Sequence, residues 1–117
     1  MRLFTAAALM GLTTALPAVA DTVTSQAQFM SIVQGKTLSR APSIRLQVKP
    51  NGTVEGKAIS WPVTGEWTWR DGYFCRDLDW GDMDIGYNCQ KVTMDSGNRI
   101  RFTSDKGNGD SAAFRLN

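Results

Sequence analysis

From residue 36 onward the apolar positions of this chain recur every second residue, whereas just before that point they recur three and four apart. Phe29, Ile32 and Val33 form an i, i+3, i+4 stripe, which predicts one helix over Ser25–Gln34. Ser25 and Gln28 carry the letters of a capping box, and Gly35 stands where a helix ends in a left-handed residue. The alternating part divides into strands over Lys36–Arg40, Ser43–Lys49, Thr53–Ala58, Val63–Arg70, Tyr73–Trp80, Tyr87–Met94, Arg99–Ser104 and Ser111–Leu116. Turn-forming groups separate them, among them Pro50-Asn51-Gly52, Asp71-Gly72, Gly81-Asp82 and Ser96-Gly97-Asn98. About eight antiparallel strands on hairpin-length links predict a mainly-β fold, a small up-and-down barrel or curved sheet. Closure removes the sheet edges, and the helix is expected to plug one end.

The strongest local signal lies between Trp67 and Cys89. Asp71-Gly72 between two alternating runs indicates a two-residue turn, since both central residues of a type I′ turn need positive φ. Counting outward pairs Trp69 with Phe74, Thr68 with Cys75, Trp67 with Arg76 and Val63 with Trp80. One face then collects Val63, Trp67, Trp69, Phe74, Leu78 and Trp80, and the other collects Thr64, Glu66, Thr68, Arg70, Cys75, Asp77 and Asp79. Setting Cys75 opposite Cys89 on the third strand pairs Arg76 with Asn88 and Phe74 with Gln90. Both sulfurs then lie on the outer face, at a separation a cross-strand disulfide can bridge. A slip of one residue would expose the tryptophans, so the register is internally constrained.

The chain has 117 residues, two cysteines and no histidine. Arg2, the apolar run Leu3–Leu16 and Ala18-Val19-Ala20 read as a signal peptide over residues 1–20, leaving one domain over 21–117. The apolar run is too short and interrupted for a spanning helix. A soluble periplasmic or secreted protein is expected, with no stable membrane insertion after cleavage. A small domain in an oxidising compartment suits a structural Cys75–Cys89 disulfide. Removing Arg2 leaves 12 basic against 11 acidic side chains. No basic run stands out, so a nucleic-acid partner is not expected.

The register places Arg76, Asn88 and Gln90 on the inner face among Trp67, Trp69, Phe74 and Trp80. Arg76 reads in two ways. It is either a plug satisfied by neighbouring amides, carbonyls and a cation–π contact with Trp67, or the receptor for an anionic group in the barrel mouth. The candidate ligand-binding set is Arg76, Trp67, Trp69, Asn88 and Gln90. Asp77, Asp79, Asp82 and Asp84 cluster around Gly81, but their spacing fails the EF-hand pattern. They read as solvated turn carboxylates, Asp82 and Asp84 being weak cation candidates, and no metal site is assigned. Gly107-Asn108-Gly109-Asp110-Ser111-Ala112 spells G-x-G-x-x-A, yet a strand rather than a helix follows it, so it reads as a turn. Glu66 and Asp77 face each other on the outer face without a cleft, and Trp61-Pro62 reads as a loop anchor. Without histidine or a free thiol, nucleophilic catalysis lacks its usual groups, and no catalytic residue is assigned.

The run Gly65-Glu66-Trp67-Thr68-Trp69-Arg70-Asp71-Gly72-Tyr73-Phe74-Cys75-Arg76, then Asn88-Cys89-Gln90 and Arg99-Ile100-Arg101-Phe102, resembles a group of small exported proteobacterial proteins. More distantly it is similar to periplasmic families of unknown function with lipocalin-like sheets. Members of the group are often labelled dihydrodipicolinate reductase. That label implies a cytoplasmic NAD(P)H-dependent enzyme with an N-terminal Rossmann domain. This chain is too short for one and lacks both a βαβ unit and a catalytic histidine, so no cofactor and no enzymatic residue is carried over. The expectation is a non-enzymatic binding or accessory protein for a small anionic or amphipathic ligand. The alternative is a module whose outer sheet face or acidic loop docks an envelope protein.

Overall fold

A computed structural model describes residues 21–117; the signal peptide expected over 1–20 lies outside the described residues. The elements are β1 (Asp21–Val23), α1 (Gln26–Val33), β2 (Leu38–Arg40), β3 (Ile44–Val48), β4 (Thr53–Ala58), β5 (Trp61–Arg70), β6 (Tyr73–Trp80), β7 (Met83–Ser96), β8 (Arg99–Thr103) and β9 (Ser111–Leu116). The sheet runs β7-β6-β5-β4-β3-β2-β9-β8, and β8 returns to β7. It is an all-antiparallel, eight-stranded closed barrel with a short N-terminal helix. β1 adds a short stretch beside Val92–Met94 of β7.

The central register is the one the aromatic alternation predicts. Trp69 pairs with Phe74, Trp67 with Arg76, Val63 with Trp80, and Cys75 with Cys89. Asp71 and Gly72 adopt φ of 53° and 87°, as a type I′ turn requires. Gly65 marks a close approach of β5 to β6, where a Cβ would run into the Asp77 carbonyl and the Leu78 side chain.

Besides β1, which the alternation does not signal, three elements differ from the sequence expectation. β7 starts at Met83 rather than Tyr87, with register shifts opposite Leu78/Asp79 and at Met94/Ser96. Each bulge adds twist, and β7 divides its pairing: its first half bonds to β6 and its second to β8, which closes the barrel. β5 begins at Trp61, so Trp61-Pro62 belongs to a strand and not to a loop. Ile59 and Ser60 form the turn before it with φ of 51° and 74°, a conformation these residue types do not advertise. The third is Ser104–Gly107, a short turn with Asp105 and Lys106 at φ of 54° and 55°.

The helix closes one end. Ser25 Oγ accepts from Gln28 N at 3.1 Å, while Gln28 Oε1 accepts from Thr24 N at 3.0 Å. Phe29 is fully buried, its ring centroid 5.1 Å from those of Trp69 and Phe74 and 5.5 Å from that of Trp67. Val23, Val33, Leu38, Val92, Ile100 and Leu116 also belong to the core. The opposite end carries the turns at 41–43, 59–60 and 81–82.

Candidate functional site

Above the floor made by Phe74, Val48, Val54 and Phe102, the barrel interior is not filled. A cavity of about 200 Å³ lies there, walled by Leu46, Leu78, Ala112, Phe114, Arg76 and Gln90. Arg76 and Gln90 reach it because they occupy inward positions of β6 and β7. Among the described residues Arg76 is the only charged one lining it.

Arg76 Nη1 donates to the carbonyl oxygen of Gly86 at 2.9 Å. Burial pushes its pKa below the ordinary arginine value, opposed by the Asp77 carboxylate next along β6. The two ion pairs among the described residues, Lys49–Glu55 and Arg101–Asp95, do not involve it. A guanidinium has five N–H donors, so one carbonyl leaves most of its hydrogen-bonding capacity open. Gln90 Nε2 donates to Ser104 Oγ at 3.2 Å, which ties the cavity wall to the turn after β8.

Of the five residues expected at the site, Arg76 and Gln90 line the cavity; the other three do not. Trp67 and Trp69 lie on the correct face but pack on Phe29 at the helix-plugged end. The Trp67 indole N–H is taken by Lys49 O at 2.8 Å, and no tryptophan among the described residues lines the cavity. The cation–π contact shown among the described residues is instead Lys106 above Tyr73, 5.5 Å from the ring centroid. Asn88 is turned to the open edge of β7. Its Nδ2 donates to Asp105 Oδ1 at 2.8 Å and its Oδ1 accepts from Asp105 N at 2.9 Å. This clasp holds the left-handed Asp105 and withdraws Asn88 from the cavity. Leu46, Ala112 and Phe114, missing from the expected set, were signalled by their own alternation; what the sequence lacked was which strand β9 pairs with.

Cys75 and Cys89 are disulfide-bonded, with Cα atoms 3.9 Å apart. The bond lies on the outer side of the sheet, yet Cys75 is only 1% exposed, so that side is partly covered. Tyr87 Oη lies 3.3 Å from Cys89 Sγ. Asp82 and Asp84 are exposed at the β6–β7 turn, and among the described residues no three His, Cys, Asp or Glu side chains converge as metal ligands would. Gly107–Ala112 is a turn leading into β9, without the strand–helix setting of a dinucleotide site. Comparison with protein-family models, with curated proteins and with solved structures finds no match.

Proposed function

We propose that this chain is an exported, non-enzymatic binding protein that holds a small amphipathic anion at the open end of its barrel. One observation carries the reading: a half-buried guanidinium, bonded to a single carbonyl, is the only charge among the described residues on a cavity wall that is apolar apart from Gln90. Such a wall receives a hydrocarbon body while the guanidinium receives a carboxylate, sulfate or phosphate. At about 200 Å³ the space is smaller than most drug-sized sites, which run ~300–1,000 Å³. The ligand class is therefore a short-chain or single-ring acid. The leader-like residues 1–20 and the disulfide support export.

The test is calorimetric titration with a series of linear and aromatic monocarboxylates, together with native mass spectrometry of the protein from its own host. Arg76→Met is expected to weaken the best binder at least tenfold while leaving the melting temperature unchanged or raised, since it removes a poorly partnered buried charge. Undiminished binding in that variant, or a large destabilisation with binding intact, makes Arg76 a plug and removes the reading.

A specific observation also favours the protein-interaction alternative. Ile59, Trp61, Met83, Ile85 and Tyr87 are all exposed on the adjacent β4–β5 and β6–β7 hairpins, with Ile59 56% and Trp61 55% accessible. Clustered exposed apolar side chains of this kind mark contact surfaces.

A further inference from the structure

The barrel wall opposite β6 gathers basic residues that are remote in sequence. Ser39 of β2 faces Arg45 of β3 on one side and Arg115 of β9 on the other. Arg115 in turn faces Arg99 of β8, and Arg45 faces Lys57 of β4. One row across five strands therefore reads Lys57, Arg45, Ser39, Arg115, Arg99. With neighbouring strands ~4.8 Å apart, the row is roughly 19 Å wide. Arg101 stands on the same face one outward position along β8, and Arg40 joins from the end of β2. Arg40, Arg45, Arg99, Arg101 and Arg115 border a groove of about 670 Å³, and Lys57 extends the row beyond it.

The floor of this groove is small and hydroxylated. Ser39, Ser43, Ser111 and Ala113 line it, and Ala113 is only 8% exposed although it faces outward, which leaves the arginine stems standing as walls. Arg101 is the one member with an acid partner, 2.9 Å from Asp95, and it also donates to Ser111 Oγ at 2.8 Å. The Asp95 bond holds its pKa above the ordinary arginine value. No ion pair among the described residues involves Arg40, Arg45, Arg99 or Arg115. Arg45–Lys57 and Arg99–Arg115 put like charges directly opposite one another, which costs stability. A fold that keeps two such pairs beside an acid-poor groove has an arrangement suited to a multiply charged anion.

The lining narrows the class of that anion. It contains no aromatic ring, so it lacks the stacking platforms that hold single-stranded nucleic acids. None of the exposed large apolar side chains borders it, so it lacks the anchors with which a surface enters a bilayer. It offers several guanidinium forks in a line above serine hydroxyls. That suits a linear chain with repeating carboxylates or sulfates and many hydroxyl groups. We propose that this groove binds an acidic glycan, independently of the cavity on the inner side of the wall.

Fluorescence anisotropy with size-defined oligouronates and heparin oligosaccharides tests it on the purified protein. Binding is expected at 50 mM NaCl and should fall about tenfold or more by 200 mM, because several counterions are displaced together. Replacing Arg45, Arg99 and Arg115 by Gln should reduce affinity at least tenfold with an unchanged or higher melting temperature. If that triple variant does not fold, Arg99→Gln and Arg115→Gln each give a several-fold loss. Arg76→Met should bind the glycan as the parent does, so failure of the cavity reading is distinguishable from failure here. Absence of oligosaccharide binding at 50 mM NaCl overturns the proposal. So does tighter capture of single-stranded DNA or anionic vesicles, or self-association by light scattering that the triple variant abolishes.

Discussion

Phe29 shows how much one side chain can decide. With Val33 it anchors an eight-residue helix to the barrel, its ring touching Trp67, Trp69, Phe74 and Phe102. Phe29→Ala should destabilise the protein by about 3–5 kcal/mol, the usual range for a fully buried aromatic. Chemical denaturation measures the loss, and tryptophan emission should shift to the red as Trp67 and Trp69 gain water. At this scale the sequence was partly legible. Period-2 alternation placed Arg76, Gln90 and both tryptophans inside. It could not say that the indoles point to the plugged end, because that depends on where α1 docks. Nor could it foresee that Asn88 turns outward, because its partner Asp105 lies 17 residues away in a turn of unusual backbone.

Among the elements, the hairpins divide by how openly they announce themselves. Asp71-Gly72 adopts the conformation its letters favour. Ile59-Ser60 adopts a similar one against its letters, with a β-branched residue in the left-handed region. Replacing Ile59-Ser60 by Asn-Gly should therefore stabilise the β4–β5 hairpin by about 0.4–1 kcal/mol, relieving a conformation that Ile resists. A higher melting midpoint at unchanged far-ultraviolet dichroism is the expected result. An unchanged midpoint would show that contacts at the tip already compensate the strain. The same hidden turn explains why β5 reads two residues short in sequence. The two bulges of β7 explain why that strand reads short at both ends, since an extra residue breaks the alternation by which a strand is recognised.

For the molecule as a whole, charge and connectivity matter more than composition. A chain close to neutrality places Glu66, Asp77, Asp79 and Asp84 on the β5–β7 side and gathers Arg40, Arg45, Arg99 and Arg115 across the barrel, on β2, β3, β8 and β9. Net charge conceals that separation, and so does the absence of any basic run. The Cys75–Cys89 link joins residues 14 apart in sequence. It should act chiefly by restricting the unfolded chain. Replacing both cysteines by Ala is expected to lower stability by about 3 kcal/mol, read from urea unfolding of the parent and the double variant. If reduction of the parent has no effect on the midpoint, the native register holds without the link.

The amino-acid order alone determined eight of the strands, the β5–β6 register, the pairing of Phe74–Arg76 with Asn88–Gln90, the disulfide and the helix start. These rest on period, turn chemistry and short-range pairing, all of which are local. Closure through the two halves of β7, the cavity beside Arg76 and the arginine row were settled only by tertiary structure. Each depends on which remote strands become neighbours, as when β9 lies between β2 and β8. Alternation gives the face a residue occupies but not the strand it lies beside, so a binding wall built from several strands becomes visible only once the sheet has closed.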